Sequence, residues 1–149
     1  MSQNHTNLSV TNAIVTIIHS VLAPAGIDLK PSLDAKAGID VSTTPLATTR
    51  RALDGKRGVG TIYDDPKTSF ELLPNSAALR DFFYLWRQYD KLNGASKAEF
   101  MYVTYGDKRI QHVFEGGVLE SLDPMAAFRE DAQNQKCEVS WDFTFEVGL

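Results

Sequence analysis

The chain is poorest in the residues that do chemistry. Its 149 residues include one cysteine and three histidines. Cys137 alone forms no internal disulfide, and its place in an apolar row reads as a small buried hydrophobe rather than a nucleophile. His5, His19 and His112 lie too far apart for a zinc pair on one helix. No long hydrophobic run is present. The most apolar early segment, 13–23, is interrupted by Thr16, His19 and Ser20 and has no charged stretch before it, so neither a signal peptide nor a membrane anchor is expected. The sequons at Asn4 and Asn7 carry little weight without a secretory route. An excess of positive charge is also missing: 15 Lys and Arg stand against 19 Asp and Glu, for a net charge of -4. A protein that grips nucleic acid through its phosphates needs a clustered basic surface.

Two stretches have the look of ligand sites. Gly55-Lys56-Arg57-Gly58-Val59-Gly60 has the wrong order for a phosphate-binding loop and precedes a strand, where a phosphate site needs a helix N-terminus. Asp64-Asp65 beside Pro66 needs only to make a turn. No catalytic residue, metal site or cofactor is therefore expected, and no repeat or low-complexity tract interrupts what reads as one domain over 1–149.

What is present is β pattern. At the C-terminal end Cys137, Val139, Trp141, Phe143, Phe145 and Val147 alternate with Lys136, Glu138, Ser140, Asp142, Thr144 and Glu146. Successive strand side chains point to opposite faces, so the pattern predicts one long strand of roughly 40 Å with an apolar core face and a polar face. Phe143→Asp should then unfold the chain, whereas Thr144→Asp should be mild.

Upstream, a polar N-terminal arm over 1–8 leads to a predicted strand at 10–21, a break at Ala23-Pro24-Ala25-Gly26, and a short alternating piece ended by Pro31. Residues 32–59 read as a long polar loop with a short strand at 39–42. Loops of this length are usually functional or disordered, and two readings stand: a segment ordered only against another subunit, or a mobile surface loop. Strands follow at 61–63 and 68–73. After Pro74 comes the one strong helix, 76–92, capped by Asn75 or Ser76, with Leu79, Phe82, Phe83, Trp86, Tyr89 and Leu92 on a core stripe and Asn93-Gly94 as its stop. A hairpin over 99–105 and 109–115, a bend at Gly116-Gly117, a strand at 118–122 and a loop anchored by Pro124, Met125 and Phe128 complete the reading. The fold class is mainly β with one flanking helix.

Charge is unevenly spread. Arg50, Arg51, Lys56 and Arg57 make the polar excursion basic, while Glu138, Asp142 and Glu146 make the last strand's polar row acidic. This separation supports either contacts between identical subunits or a simply solvated surface.

Taken in order, Leu53-Asp54-Gly55-Lys56 after the polar loop, Thr68-Ser69-Phe70-Glu71-Leu72-Leu73-Pro74-Asn75-Ser76-Ala77-Ala78-Leu79 into the helix, and Cys137-Glu138-Val139-Ser140-Trp141-Asp142-Phe143 near the end resemble bacteriophage tail tube proteins, above all those of contractile-tailed phages. The resemblance implies two packed antiparallel sheets with a flanking helix, self-assembly into hexameric rings stacked as a tube, and an inner wall that is a sheet closed between subunits. It implies a tape-measure protein, sheath, baseplate and terminator proteins as partners, and DNA that passes through without specific binding. The expected location is the virion tail, after assembly in the host cytoplasm. By the same resemblance, residues 43–59 reach an adjacent subunit or ring, which puts Thr43, Thr44, Thr48, Arg50, Arg51, Asp54, Lys56 and Arg57 at an interface. Glu138, Asp142 and Glu146 are expected to face the lumen if the last strand lies in the inner wall. Readings kept beside this one are a type VI secretion tube or tail terminator subunit, and a monomeric β-barrel that binds a small ligand under the aromatic helix.

Overall fold

The structure is a computed structural model and describes residues 13–34, 38–42, 47–61, 65–105 and 110–148. The expected N-terminal arm, Thr43, Thr44 and the hairpin tip at 106–109 lie outside these. Ten strands follow in order: β1 (Ile14–His19), β2 (Ala23–Asp28), β3 (Ile39–Val41), β4 (Ala47–Arg51), β5 (Arg57–Thr61), β6 (Lys67–Leu72), β7 (Lys97–Tyr105), β8 (Ile110–Leu122), β9 (Gln135–Ser140) and β10 (Phe143–Gly148). Eight form one antiparallel sheet ordered β2-β1-β7-β8-β9-β6-β3, with β10 also on β8. Among the described residues β4 and β5 pair only with each other.

The two layers of the fold are halves of this single sheet. Val15, Ile17 and Met101 from the β1-β7 half share one apolar cluster with Phe70, Leu72, Cys137 and Val139 from the β6-β9 half. The helical segment closes the cluster. Its first turn, Leu79–Phe83, is π-type and runs into α1 (Tyr84–Asn93), with Leu79, Phe82, Phe83 and Trp86 fully buried. Phe82 meets Phe83 edge-on at 5.2 Å between ring centroids and Trp86 at 5.4 Å, a favoured aromatic geometry. Leu92, placed on the core stripe by its spacing, is exposed at the last turn.

The helix start differs from expectation in its cap. Asn75 takes a left-handed φ of 54°, and Ser76 Oγ is buried without a hydrogen-bond partner. Ser32, from a distant 3-10 turn, instead accepts the Ala78 amide at 3.1 Å. A free helix-end amide is thereby satisfied across the fold rather than locally. β2 also corrects the sequence reading, because Ala23-Pro24-Ala25-Gly26 lies within a strand. As an edge strand it tolerates a proline, and Gly26 at φ 88° occupies the irregular stretch of its pairing with β1.

The predicted last strand is two strands, and the change at their junction is the central feature of the fold. Across their junction β9 and β10 keep one register along β8, with Val118 opposite Ser140 and Glu115 opposite Phe143, and the register shifts only farther along, between Leu119 and Ser121. Between them the backbone switches partners: the Trp141 amide donates to Pro66 O at 2.8 Å, and the Asp142 amide donates to Glu115 O at 2.9 Å. Side-chain alternation inverts there. Trp141 is core, yet so is Phe114, which stands opposite Thr144, three residues on. Partners directly opposite in a ladder share a face, so Thr144 is on the core side and Phe143 is not. The same inversion crosses the neighbours: Gly117 and Phe114 are buried three apart on β8, as are Ala98 and Met101 on β7.

Glycines permit it. Gly116 has φ 68°, and a Cβ on Gly117 would lie 2.5 Å from Trp141 Cζ3, so the indole rests directly on bare backbone. Trp141 Nε1 donates to Thr68 Oγ1 at 2.9 Å, which fixes the ring in the bend.

Candidate assembly interface

Two features of the surface stand out among the described residues. The first is the β4–β5 hairpin, which lies in the expected polar loop and corrects it: the segment is ordered pairing, with Thr49 opposite Val59 and Arg51 opposite Arg57. At its tip the Gly55 amide donates to Ala52 O at 2.9 Å and the Lys56 amide to Asp54 Oδ1 at 3.0 Å, with Gly55 at φ 86°. The arm therefore has a defined turn, and Leu53 at its end is fully exposed, as Val59 is largely. Four basic residues, Arg50, Arg51, Lys56 and Arg57, against Asp54 leave +3 on this arm and -7 on the rest of a chain of net -4. An isolated two-stranded hairpin is marginal in water, so an arm of this kind gains most of its order from whatever it touches.

The second feature follows from the inversion. Past Trp141 the apolar row emerges on the outer face of the sheet, where Phe143, Phe145 and Val147 are 51%, 38% and 39% exposed. They share a face with a row that crosses four strands: Phe145 stands opposite the buried Val113, Val113 opposite Tyr102, and Tyr102 opposite Thr16, while Glu115 stands between Phe143 and Phe100, and Phe100 opposite Ile18. Phe143 and Phe145 stack at 6.2 Å, Phe100 and Tyr102 at 5.8 Å. On the β6-β9 half the same outer face is polar, carrying Lys67 to Glu120 at 3.0 Å, Ser69 to Glu138 at 3.5 Å and Lys136 to Glu71 at 3.9 Å. One half is finished for water and the other is not. Three exposed apolar side chains in a row on one edge strand mark an interaction surface. Among the described residues its margin, β10, pairs only with β8, and β2 and β3 end the sheet. An open, apolar edge without proline or lysine invites pairing with another chain.

The expected acidic row is dispersed by the same inversion. Glu138 is on the outer face of β9, Asp142 sits in the bend bound to Lys97 at 2.9 Å, and Glu146 is on the opposite face, 4.0 Å from His112. They form no common wall. Of the expected interface residues, Arg50, Arg51, Asp54, Lys56 and Arg57 are gathered on the arm, and the backbone of Thr48 is in β4. In the 123–134 loop Ala126 is buried, whereas Met125 and Phe128, expected as anchors, are exposed.

Reactive groups are put to structural use. Cys137 is fully buried, and loss of solvent pushes its thiol pKa far up, which keeps it protonated. His19, Ser96 and Asp90 come together without the order a triad needs. Ser96 Oγ donates to Asp90 Oδ1, not to the histidine, while it accepts from His19 Nε2 at 2.9 Å and from Trp86 Nε1 at 3.1 Å. No sequence pattern points to these partners of His19; the one signal is its parity with the buried Val15 and Ile17. Among the described residues no group of three His, Cys, Asp or Glu could hold a metal ion. The space under the helix, where a ligand barrel would have its cavity, is filled by Phe82, Phe83 and Trp86.

Comparison with solved structures decides the architecture. A chain of the anti-feeding prophage cap, the AFP tube terminating cap, superposes with a TM-score of 0.61 at 13% identity, over 100% of this chain and 96% of that one. A chain of the PVC sheath/tube terminator, from an extracellular contractile injection system in the extended state, gives 0.64 at 14% identity over 98% and 100%. The fold is that of contractile-tail tube-associated proteins. A chain of the PVC sheath-tube complex gives 0.63 at 13% identity, over 96% of this chain and 93% of that one. The sequence matches no protein-family model and no curated protein. At 13–14% identity and 96–100% coverage of this chain, what is shared is the fold.

Proposed function

We propose that the chain is a structural subunit of a contractile-type tail or injection particle, assembling with copies of itself into rings that form or terminate the tube. The observation that carries this reading is the half-sheet whose apolar row emerges on the outer face and ends on the open β10 edge, together with an arm whose strands, among the described residues, pair only with each other. In a ring each subunit offers β10 to the next, and the pairing removes the open edges. The basic arm reaches across to the acidic body of a neighbouring subunit or ring. Hexameric symmetry, a tape-measure protein, sheath and baseplate as partners, and a particle assembled in the host cytoplasm belong to the same reading. So does passage of DNA through the tube, without an acidic lining built from Glu138, Asp142 and Glu146. Size exclusion with light scattering tests it: the intact chain forms concentration-dependent oligomers, and Phe145→Glu, placed on the apolar half-face, remains a folded monomer. Equal oligomerisation of both would remove the half-face from the interface.

A further inference from the structure

We propose that His19 is an acid-sensitive clasp that holds the β1–β2 turn, and through it the edge strand β2, against α1 and the start of β7. Both ring nitrogens are committed. Nδ1 accepts the backbone amides of Val21 at 3.2 Å and Leu22 at 3.3 Å, which requires it to be unprotonated. Nε2 then carries the proton and donates to Ser96 Oγ. Ser96 hands the chain of bonds on to Asp90 and is itself fixed by its amide, which donates to Asp90 Oδ1 at 3.0 Å. The imidazole is 1% exposed and boxed edge-on by Phe82, Trp86 and Tyr89.

A second proton on this ring has only Nδ1 to occupy. There it would point at two amide hydrogens, so the charged imidazole and the closed turn exclude each other. The carboxylates that face the ring, Asp90 from α1 and Glu99 from β7, favour the charge, but burial outweighs them and the His19 pKa is lowered. A folded value below the unfolded 6.5 means that the folded chain binds this proton less readily. The stabilisation is complete above pH 6.5 and is lost as pH falls through the folded value. The first contact to give way is the turn, because its two amides lose their acceptor, and His19 opposite Ala23 is the end of the β1–β2 ladder. β2 is an open edge of the sheet, so acid would also weaken pairing between copies. That consequence rests on the assembly reading; the clasp itself does not.

Proton-detected NMR of the full chain with labelled histidine tests the clasp. At pH 7.5 His19 should show the tautomer protonated at Nε2. Between pH 7.5 and 5, protection of the Val21 and Leu22 amides, corrected for intrinsic exchange, should fall by roughly tenfold or more with the midpoint of the His19 titration, while Val15 and Phe114 stay protected. His19→Asn keeps an acceptor that never titrates, and its turn protection should be flat over this range. A proton on Nδ1 at neutral pH, titration of His19 with the turn amides unmoved, loss of core and turn protection together, or an unchanged acid response in His19→Asn would each overturn the proposal.

Discussion

Trp141 shows how one side chain reverses the fate of its neighbours. Its indole fills the space that a Cβ on Gly117 would need, and its amide leaves the β8 ladder for Pro66. Truncation to alanine removes a fully packed ring and the bond to Thr68, which costs about 3–5 kcal/mol in urea unfolding. Gly117→Val forces the ring out and costs about 1–3 kcal/mol. Phe143, two residues on, behaves oppositely: at 51% exposed, Phe143→Asp should change subunit stability by less than about 1 kcal/mol. A loss like that of Trp141→Ala would return Phe143 to the core. The sequence supplied the right strand and the right burial for Cys137, Val139 and Trp141. It could not show that an unbroken alternation crosses a bend, because the change of face lies in the backbone at Trp141 and Asp142 and in two glycines on the strand beside them.

Among the elements, those that bury an apolar stripe were the most legible. The helix, β1, β6 and the β7–β8 hairpin follow from periodicity, because tertiary packing and local pattern agree. The arm looks like a loop in sequence for the converse reason: Ala-Thr-Thr-Arg-Arg against Arg-Gly-Val-Gly-Thr has no core face, and its pairing is set by the turn at Gly55. The Ser32 cap on the helix was invisible because donor and acceptor are 46 residues apart. Since β4 and β5 pair only with each other among the described residues, replacing residues 48–60 by a Gly-Ser linker should leave the unfolding free energy within about 0.5 kcal/mol of the parent while abolishing oligomers in size exclusion. If the body unfolds with the arm removed, the hairpin is structural rather than an interface. In the intact chain the arm amides should exchange rapidly in the monomer and slowly in the assembly.

The molecule as a whole divides into a finished body and an unfinished surface. One sheet, folded on an aromatic core, places an exposed apolar row and an open edge to one side, and a basic hairpin forms a small sheet of its own. The contractile-tail architecture was legible from the order of elements, whereas the surface that does the work was not, because it depends on which side of the bend each residue emerges. Electron cryomicroscopy of the particles formed by the purified chain at high concentration tests the central claim most directly. The account predicts closed rings, alone or stacked, in which the outer face of β10 and the β4–β5 arm both lie at subunit boundaries. A chain that stays monomeric at every concentration, or an assembly in which Phe143, Phe145 and the arm all remain in solvent, would contradict it.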